Sequence, residues 1–597
     1  MSKSVPQCPS ESEWQLLPDH PRLMARAVDW ENLSIRIASD PTAAKLHELQ
    51  LRQADHMLMD PVLEYPLQGR RLITAPSLGR IITLAMIARL SDDPRFTEKA
   101  LAEMRQLARL PDWNPSHFLD AAMAATSLSL GYDWLFDKMG QEDRELFRAA
   151  LVDKALKPSF DSKYNGWVSN TNNWNQVCHS GMTLAALAVA DLEPDLARKT
   201  VQRAIENIPF AAKAYAPEGA YPEGVGYWDY GTSFHVNLIE ALRSALGSDF
   251  GLADFPGFLA SSDYVIQVTG PTGKPFNYSD CRPEDAAHPT LYWFARERNQ
   301  PGLLTNEIKR CDLDLAEARK GIRTPSPLYA LLWWKAMDEK ETKPLPLKWF
   351  ANGVVPVAFQ RSAWDDPKAC YLAIKGGAAI APHAHVDGGT FVLEADGVRW
   401  AVDTGLQNYH SLESKGVKMW EKTQDSERWT VFRLGPEAHN ILRFDNVMPL
   451  VDGHAAIVRF QPEGAHPQST LELSALYLDH VPMVHRNVSL LPDRTFIIED
   501  AWSTGSKEVA VTSQWLTHAE KIEIEDKRVL LYEAGERLEI RVESETDITI
   551  VAEDMSEPRA SYDEPNPGLK RLVFSTRSMA GTDGGFRMIV RPGSTMV

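Results

Sequence analysis

The chain has 597 residues, which is too long for a single hydrophobic core, so two or more domains are expected. Apolar residues make up 44% and charged residues 24%, a composition that is typical of soluble globular proteins and excludes disorder for most of the chain. The formal net charge of −18 argues against general binding to nucleic acid or to anionic membranes. A local basic pocket for an acidic substrate is still compatible with this charge.

The five cysteines are scattered, odd in number and without the spacing of a zinc site, so they predict neither a disulfide framework nor a Cys-X-X-Cys metal site. The first residues contain no apolar run of signal-peptide length. No stretch of about 18 uncharged apolar residues occurs, so no transmembrane helix is expected. The expected location is therefore cytoplasmic, or periplasmic if an export signal has been removed.

The region before residue 345 has helical periodicity. Apolar residues recur at i, i+3, i+4 and i+7 in several segments that short Pro-, Gly- and Asp-containing links separate. These segments are 77–93, 117–139, 141–156, 179–192 and 235–246. Successive amphipathic helices with short links favour helical hairpins, arranged as a barrel, an incomplete toroid or an open solenoid.

The sequence changes character near residue 340, where the segment 338–349 is charged and contains proline, as linkers often do. Short β-type runs follow, many of which alternate apolar and polar residues, as in an antiparallel β-sandwich. These runs are 369–376, 389–397, 399–405, 455–461, 469–478, 495–503, 508–516, 520–533, 537–544, 548–554, 571–578 and 586–593. We therefore expect an α+β multidomain protein with a helical domain at 1–345 and a β-sandwich at 346–597.

The first candidate site segment is rich in amide side chains. Four amides lie within five residues, and N-capping of the following helix explains only one of them. Amides donate hydrogen bonds without adding charge, so the segment suits the binding of a carboxylate. Its residues are Asn172, Asn173, Trp174, Asn175 and Gln176, and His179 follows them.

The second segment, 218–230, alternates tyrosines and glutamates with glycines just before a helical run. Glycines allow close approach of the backbone, and a tyrosine whose pKa is lowered can act as a general acid or base. A glycine-rich loop with packed aromatic residues and a loop that delivers one phenol to a pocket are both consistent with this pattern.

The third segment begins at His383 and His385, whose side chains point the same way in an extended chain. Asp403 and His439 follow further along the predicted sheets. Two imidazoles and a carboxylate from separate strands can bind zinc, although scattered histidines and aspartates are also common at surfaces and in hydrogen bonds.

Together the three segments resemble the heparinase II/III-like superfamily, which includes heparin and heparan sulfate lyases, alginate lyases and dermatan sulfate epimerase. HAHVDGGTFVLEADGVRWAVDTG followed by AHNILRFD is similar to the signature of the β-sandwich domain of that family. EGAYPEGVGYWDYG resembles its catalytic tyrosine loop, and NTNNWNQVCHSG resembles the helical segment that supplies the carboxylate-binding group. The resemblance implies an incomplete (α/α) toroid followed by an antiparallel β-sandwich.

The resemblance also implies catalytic roles. Tyr227 corresponds to the catalytic tyrosine, His383 to the catalytic histidine, and Asn173 to the asparagine of an Asn-His pair. Several members have a histidine where this chain has a tryptophan after Asn173, so His179 or Asn175 is expected to replace it. The residues expected to contact substrate are Asn172, Trp174, Gln176, Glu223, Tyr230 and Arg433.

The metal ligands implied by the resemblance are His385, Asp403 and His439. The expected cofactor is a structural divalent metal, zinc in the first instance, with manganese or calcium as alternatives. The three ligands lie beside His383 and not among the amides, so the metal is expected to tie strands together instead of acting as a Lewis acid.

The implied function is a lyase that cleaves uronic-acid-containing oligosaccharides or polysaccharides by β-elimination. An enzyme inside the cell meets only imported oligosaccharides, which favours exo-acting cleavage of short chains. A uronate C5-epimerase, a non-catalytic glycan-binding protein and a helical-repeat scaffold remain alternatives. The expected partner is an anionic glycan, with no nucleic acid and no membrane, and a homodimer is left open.

Overall fold

The computed structural model describes residues 6–72, 78–284, 286–325, 327–337, 344–464, 466–478 and 480–593. The first part of the predicted linker, 338–343, lies outside the described residues. The chain divides into two compact units, each built from three segments that alternate along the sequence. The helical unit comprises Met1–Lys213, Tyr227–Ser262 and Ala287–Pro344, and the sheet unit comprises Ala214–Gly226, Asp263–Ala286 and Leu345–Val597.

The α-helices of the described residues lie mainly before residue 335. They are α1 (Glu11–Gln15), α2 (Ala27–Ser39), α3 (Pro41–Leu58), α4 (Gly79–Leu90), α5 (Pro94–Arg109), α6 (Phe118–Trp134), α7 (Gln141–Leu151), α8 (Asn173–Ala188), α9 (Pro194–Asn207), α10 (Pro209–Ala212), α11 (Val225–Leu246), α12 (Ser261–Val268), α13 (Thr290–Arg298), α14 (Thr305–Arg319), α15 (Ala330–Trp333) and α16 (Tyr409–Glu413).

Helices in the helical unit begin where the sequence supplies capping residues. The Asp40 carboxylate accepts backbone N–H groups at the start of α3, and Pro41 occupies the first helical position. Asp93 and Pro94 have the same roles for α5. Consecutive helices pack in pairs, including α4 with α5 and α8 with α9, and α14 packs against α3. The predicted helical hairpins are therefore confirmed, and the described helices form no closed barrel.

The two central helices of the helical unit, α6 and α8, are buried along nearly their whole length and touch backbone to backbone. Gly181 of α8 makes this approach possible, because a Cβ atom at that position would lie 2.4 Å from the Ala122 carbonyl oxygen of α6. The amide-rich segment stands at the start of α8, where Asn172 caps the helix by accepting the Trp174 backbone N–H at 3.2 Å. The α6–α8 contact thus fixes the position of that segment.

Most strands follow residue 347. They are β1 (Leu67–Gln68), β2 (Arg71–Leu72), β3 (Lys348–Ala351), β4 (Val357–Arg361), β5 (Tyr371–Lys375), β6 (Phe391–Ala395), β7 (Val398–Ala401), β8 (Leu442–Phe444), β9 (Ala456–Gln461), β10 (Gln468–Glu472), β11 (Met483–Leu490), β12 (Phe496–Ser503), β13 (Val509–Thr517), β14 (Lys521–Glu525), β15 (Arg528–Glu533), β16 (Glu536–Glu543), β17 (Thr549–Asp554), β18 (Lys570–Ser578) and β19 (Asp583–Gly593).

The described residues of the sheet unit form three antiparallel sheets. An eight-stranded sheet has the order β14-β15-β16-β19-β12-β11-β10-β9, a four-stranded sheet β17-β18-β13-β8, and a five-stranded sheet β3-β4-β5-β6-β7. Their apolar faces contribute to one core, in which Leu393, Ile498 and Trp515 come from the five-, eight- and four-stranded sheets respectively. The predicted fold class, a helical region followed by antiparallel sheets, is confirmed.

A buried ion pair connects the eight-stranded sheet to the loops that carry the histidine motifs. Arg486 of β11 and Asp500 of β12 are fully buried and joined by two hydrogen bonds of 2.6 and 2.8 Å. The same guanidinium donates to the carbonyl oxygens of Gly389 and Asn440, at 2.8 and 2.7 Å. A buried pair is stabilising only when its remaining donors are also satisfied, and here they hold two motif-bearing loops in place.

Within the part of the chain that the structure describes, no helix has the length and apolar character that a bilayer crossing requires.

Substituting Gly181→Ala is expected to force α6 and α8 apart and to lower the free energy of unfolding by about 1–3 kcal/mol, as overpacking of a close helix contact does. Gly166→Ala is the control, because a Cβ atom there meets nothing within 4 Å. Denaturant unfolding followed by circular dichroism measures both variants. Equal stabilities would contradict the backbone-to-backbone contact.

Candidate active site and metal site

His383 lies in the sheet unit, on the loop between β5 and β6, with a left-handed backbone at φ 57°. Its Nδ1 atom lies 2.9 Å from Oδ2 of Asp280 and 2.9 Å from the Tyr409 hydroxyl. Its Nε2 atom faces Glu223, whose Oε2 atom is 3.6 Å away. The side chain is 12% exposed, and each ring nitrogen faces a buried carboxylate.

Asp280 is fully buried and organises the groups around His383. Its carboxylate accepts the Tyr409 O–H at 2.9 Å and an Arg428 N–H at 3.3 Å, and it lies 3.0 Å from Nε2 of His385. Burial alone would raise the pKa of Asp280, but Arg428 and the two histidines outweigh burial and hold that pKa well below its usual range. An ionised Asp280 favours a proton on the adjacent Nδ1 atom of His383.

Three buried side chains offer unsatisfied metal-ligand atoms beside this cluster. Nδ1 of His385, Oδ2 of Asp387 and Nε2 of His439 have no hydrogen-bond partner among the described residues. One ligand atom from each of the three residues lies within 4.8 Å of the others. Buried polar atoms without partners are rare and costly, so a bound cation would account for all three.

The outer nitrogens of both histidines contact carboxylates. Nε2 of His385 lies 3.0 Å from Asp280, and Nδ1 of His439 lies 3.0 Å from Oδ2 of Asp403. Carboxylates at these positions orient metal-ligating imidazoles and fix their tautomers. Two imidazole nitrogens and one carboxylate oxygen suit zinc better than calcium or magnesium.

The residues that could hold a metal in the structure differ at one position from the sequence expectation. His385 and His439 are brought together as expected, but the carboxylate beside them is Asp387. Asp403 instead contacts the outer nitrogen of His439, and one oxygen of Asp387 also pairs with the buried Lys375 ammonium. Asp387 repeats the two-residue spacing between His383 and His385, which is the sequence signal that could have identified it.

The tyrosine loop supplies residues to both units. Glu223 belongs to the sheet unit and is fully buried, while Tyr227 belongs to the helical unit and lies half-buried on the first turn of α11. Gly224 has φ +85°, and a Cβ atom there would lie 3.0 Å from the Tyr278 carbonyl oxygen, so this position requires glycine. Tyr230 follows one helical turn after Tyr227 and directs its hydroxyl at the Met123 sulfur, 3.7 Å away.

Asn175 and His179 are occupied inside the helical unit. The Asn175 amide donates to the carbonyl oxygens of Val168 and Asn207, at 2.7 and 3.2 Å, and Nε2 of His179 lies 3.1 Å from the same Val168 oxygen. Burial lowers the pKa of His179 to about 3, so the ring is neutral. Both side chains therefore hold the loop before α8 through the Val168 carbonyl oxygen.

The other amide-segment residues also have identified positions. Asn173 is buried at the start of α8, and the Trp174 ring packs edge-on against His117 with centroids 5.0 Å apart. The Gln176 amide nitrogen lies 3.5 Å from a ring nitrogen of His235.

Arg433 lines a cavity of about 480 Å³ in the sheet unit, together with Arg282 and Asp403. Its guanidinium donates to the Asn566 side chain at 2.9 Å and to the Leu406 carbonyl oxygen at 2.8 Å. These bonds hold the cavity wall and use donors that a substrate would otherwise take.

Sequence reasoning missed Asp280, Tyr409 and Arg428. Asp280 stands about a hundred residues before His383 in a segment without a recognisable pattern, so no periodicity or spacing links the two. The contact between Asp280 and His383 exists because the segment Asp263–Ala286 belongs to the sheet unit, although the segments before and after it in the sequence belong to the helical unit.

A second histidine–carboxylate cluster lies in the helical unit. Glu307 of α14 is buried and accepts the His288 backbone N–H at 3.0 Å, and burial raises the pKa of Glu307 to about 7. Nδ1 of His288 lies 3.6 Å from the Asp229 carboxylate, two residues after Tyr227.

Residues 357–583 match the family model for Heparinase II/III-like, C-terminal. A search of curated proteins found no match. Among solved structures, one titled Heparinase III is similar with a TM-score of 0.60 and 12% identity, covering 92% of this chain and 85% of that chain. Heparan sulfate lyase HepC from Pedobacter heparinus is similar with a TM-score of 0.57 and 14% identity, covering 92% and 83%. At these identities the similarity of the structures concerns the fold.

Metal binding is expected to raise the thermal unfolding temperature, because zinc binds the folded state and not the unfolded one. His439→Ala is expected to abolish equimolar zinc binding, and Asp403→Asn is expected to weaken it about 10- to 100-fold, as loss of an orienting carboxylate does. Elemental analysis of the purified protein and calorimetric zinc titration measure both. The control is His454→Ala, at an exposed histidine, which is expected to bind zinc as the unsubstituted protein does. Undiminished zinc binding in His439→Ala would contradict the proposed metal site.

Glu307 is expected to make the stability of the protein depend on pH. Between its ordinary pKa of 4.5 and about 7, the unfolded chain loses this proton while the folded chain keeps it, so stability falls as pH rises. Glu307→Gln is therefore expected to be more stable than the unsubstituted protein by about 1–3 kcal/mol above pH 7, with no such gain below pH 4.5. Denaturant unfolding across this range measures the difference, and the exposed Glu317→Gln on the same helix is the control.

Proposed function

We propose that this heparinase II/III-like protein is a carbon–oxygen lyase that cleaves uronic-acid-containing glycans by β-elimination. The observation that carries the proposal is the arrangement of His383, whose Nδ1 is held by the buried Asp280 carboxylate and whose Nε2 faces Glu223 of the tyrosine loop at 3.6 Å. The family match over residues 357–583 and the similarity to a heparinase III and a heparan sulfate lyase support it.

β-Elimination at a uronate requires a base, an acid and a group that neutralises the carboxylate. In the proposed reaction, Nε2 of His383 takes the C5 proton, and the electron pair forms the C4–C5 double bond as the C4–O4 bond breaks. Asp280 stabilises the imidazolium that forms, and Tyr409 holds the same carboxylate oxygen. The orientation of the ring thus needs no rearrangement during proton transfer.

Tyr227 is the proposed acid that protonates the departing O4. It stands on the first turn of α11. Asn173, at the start of α8, is the proposed donor to the uronate carboxylate, since an amide donates without adding charge. Both roles follow from the resemblance of their segments to the catalytic segments of the family.

The proposed metal is a structural zinc held by His385, Asp387 and His439, with Asp403 orienting His439. When bound, the ion supplies a fixed positive charge that ties the loop before β6 to the loop before β8. The role of these protein residues is to hold the His383 loop in shape, because Asp280 contacts both His383 and His385.

The finer proposals concern mode and partner. We propose exo-acting cleavage of anionic oligosaccharides, which predicts that the smallest product accumulates from the first minutes of digestion. Endo-acting cleavage would instead give a ladder of intermediate sizes. Chromatography of early digests distinguishes the two modes.

The test of the proposed function is the ultraviolet absorbance of the new C4–C5 double bond, conjugated with the carboxyl group. Purified protein is incubated with alginate, heparan, chondroitin, hyaluronan and glucuronan oligosaccharides. We expect a rise with at least one of them, and a fall in kcat of about 100- to 10,000-fold in Tyr227→Phe, the range for loss of a general acid or base. Tyr164→Phe, at a half-buried tyrosine of the helical unit, is the matched control.

A flat absorbance with every glycan would contradict the lyase reaction. Exchange of the C5 hydrogen with deuterated solvent in those same mixtures would then assign the protein as a uronate epimerase, since epimerisation breaks the C5–H bond without expelling O4.

A further inference from the structure

An exposed tryptophan and a lysine stand beside His383 and have no part in the proton transfers described above. Trp420 and Lys422 lie in the segment before the 3₁₀ turn at Glu427–Thr430 of the sheet unit. The Trp420 ring stands edge-on to His383 with centroids 6.0 Å apart, and its centroid is 5.1 Å from that of Tyr409. The indole is therefore next to the proposed base.

Trp420 presents a fixed apolar surface to solvent. The residue is 43% exposed, and its Nε1–H donates to a Glu413 carboxylate oxygen at 3.0 Å. Packing against Tyr409 on one side limits rotation of the indole further. A large aromatic ring that is both immobilised and exposed suits a ligand with one apolar face and polar edges, which is the character of a pyranose ring.

Lys422 brings a positive charge to the same place. Its ammonium donates to the carbonyl oxygens of Ala381 and Ile380, at 2.5 and 3.1 Å, which lie just before His383 in the chain. An ammonium has three N–H donors, so one remains after these two bonds. Burial lowers the pKa of Lys422 to about 8, and Arg428 acts in the same direction, so the group is still largely charged at neutral pH.

We infer that Trp420 and Lys422 form the subsite for the uronate whose C5 proton His383 removes, with the sugar ring stacked on the indole and the carboxylate paired with the ammonium. This inference rests on the proposed function and specifies its substrate, a glycan with an unmodified uronate carboxyl group. A cation at the carboxylate lowers the energy of the C5 carbanion-like state that proton removal creates.

A purely structural role of Lys422 makes a different prediction. A lysine that only holds the carbonyl groups of residues 380–381 would, when removed, disturb the site for every ligand alike. A lysine that binds the carboxylate would, when removed, weaken the binding of acidic sugars and spare neutral ones. The chain provides a matched structural lysine, because Lys570 also donates to two backbone carbonyl oxygens, at 2.5 and 3.1 Å.

The experiment measures dissociation constants by calorimetry in a Tyr227→Phe background, which is used so that the ligand is not consumed. The ligands are the five classes of uronate oligosaccharide named above and their carboxyl-reduced, neutral counterparts. Lys422→Met is expected to weaken binding of the acidic ligands about 10- to 100-fold, the range for a hydrogen bond between charged groups, and to leave the neutral ligands unchanged. Lys422→Arg is expected to restore most of the loss, and Lys570→Met to cause none.

Trp420→Ala is expected to weaken the binding of acidic and neutral ligands alike, by about 10-fold, because stacking does not depend on the carboxyl group. Trp420→Phe is expected to retain part of the affinity.

Binding of acidic ligands is also expected to weaken above about pH 8 as Lys422 loses its proton. No such weakening is expected in Lys422→Arg, since arginine stays charged. The charged groups that act on Lys422 are Arg428, Glu223 and Asp280.

The outcomes separate this subsite from the proposed function. Equal losses for acidic and neutral ligands in Lys422→Met, or no loss in either Lys422→Met or Trp420→Ala, would overturn the subsite even if the protein forms unsaturated product. The expected pattern of affinities without any unsaturated product would overturn the lyase and leave the uronate subsite in place.

Discussion

The geometry around His383 depends on keeping one negative charge inside the protein. Asp280 has no exposed surface, and an ionised carboxylate in such a place is tolerated only when charges and hydrogen bonds compensate it. Arg428 supplies the charge, and two histidines and Tyr409 supply the remaining bonds. Because these partners come from the loop before β6, from α16 and from the 3₁₀ turn at Glu427–Thr430, the single carboxylate fixes three segments relative to one another.

The same carboxylate links two sites that would otherwise be independent. One oxygen contacts His383, the proposed base, and the other contacts His385, a candidate metal ligand. The orientation of either imidazole therefore constrains the other through one rigid group. Arg486, paired with the buried Asp500, also stabilises this arrangement, because it donates to the carbonyl oxygens of Gly389 and Asn440 in the loops that carry the two histidine motifs.

Sequence reasoning reached the fold class and the positions of the histidine motifs, because periodicity and alternation are local properties that survive in the structure. The family resemblance of their motifs grouped His385 with His439, and the two side chains lie close together in the structure. It could not find Asp280, Tyr409 or Lys422, whose significance arises only from contacts across long separations in the chain. It could not show that Asn175 and His179 contact the Val168 carbonyl oxygen, because a sequence does not reveal which amides and imidazoles are bonded to backbone carbonyl groups.

The alternation of segments between the two units has a consequence for modularity. The backbone passes from one unit to the other at residues 213–214, 226–227, 262–263, 286–287 and 344–345. A fragment that begins at residue 345 would lack Glu223 and Asp280, and the guanidinium of Arg428 would lose its buried counter-charge. Gene recombination at residue 345 would therefore transfer an incomplete sheet unit. Transfer of the complete sheet unit would also have to include the segments Ala214–Gly226 and Asp263–Ala286.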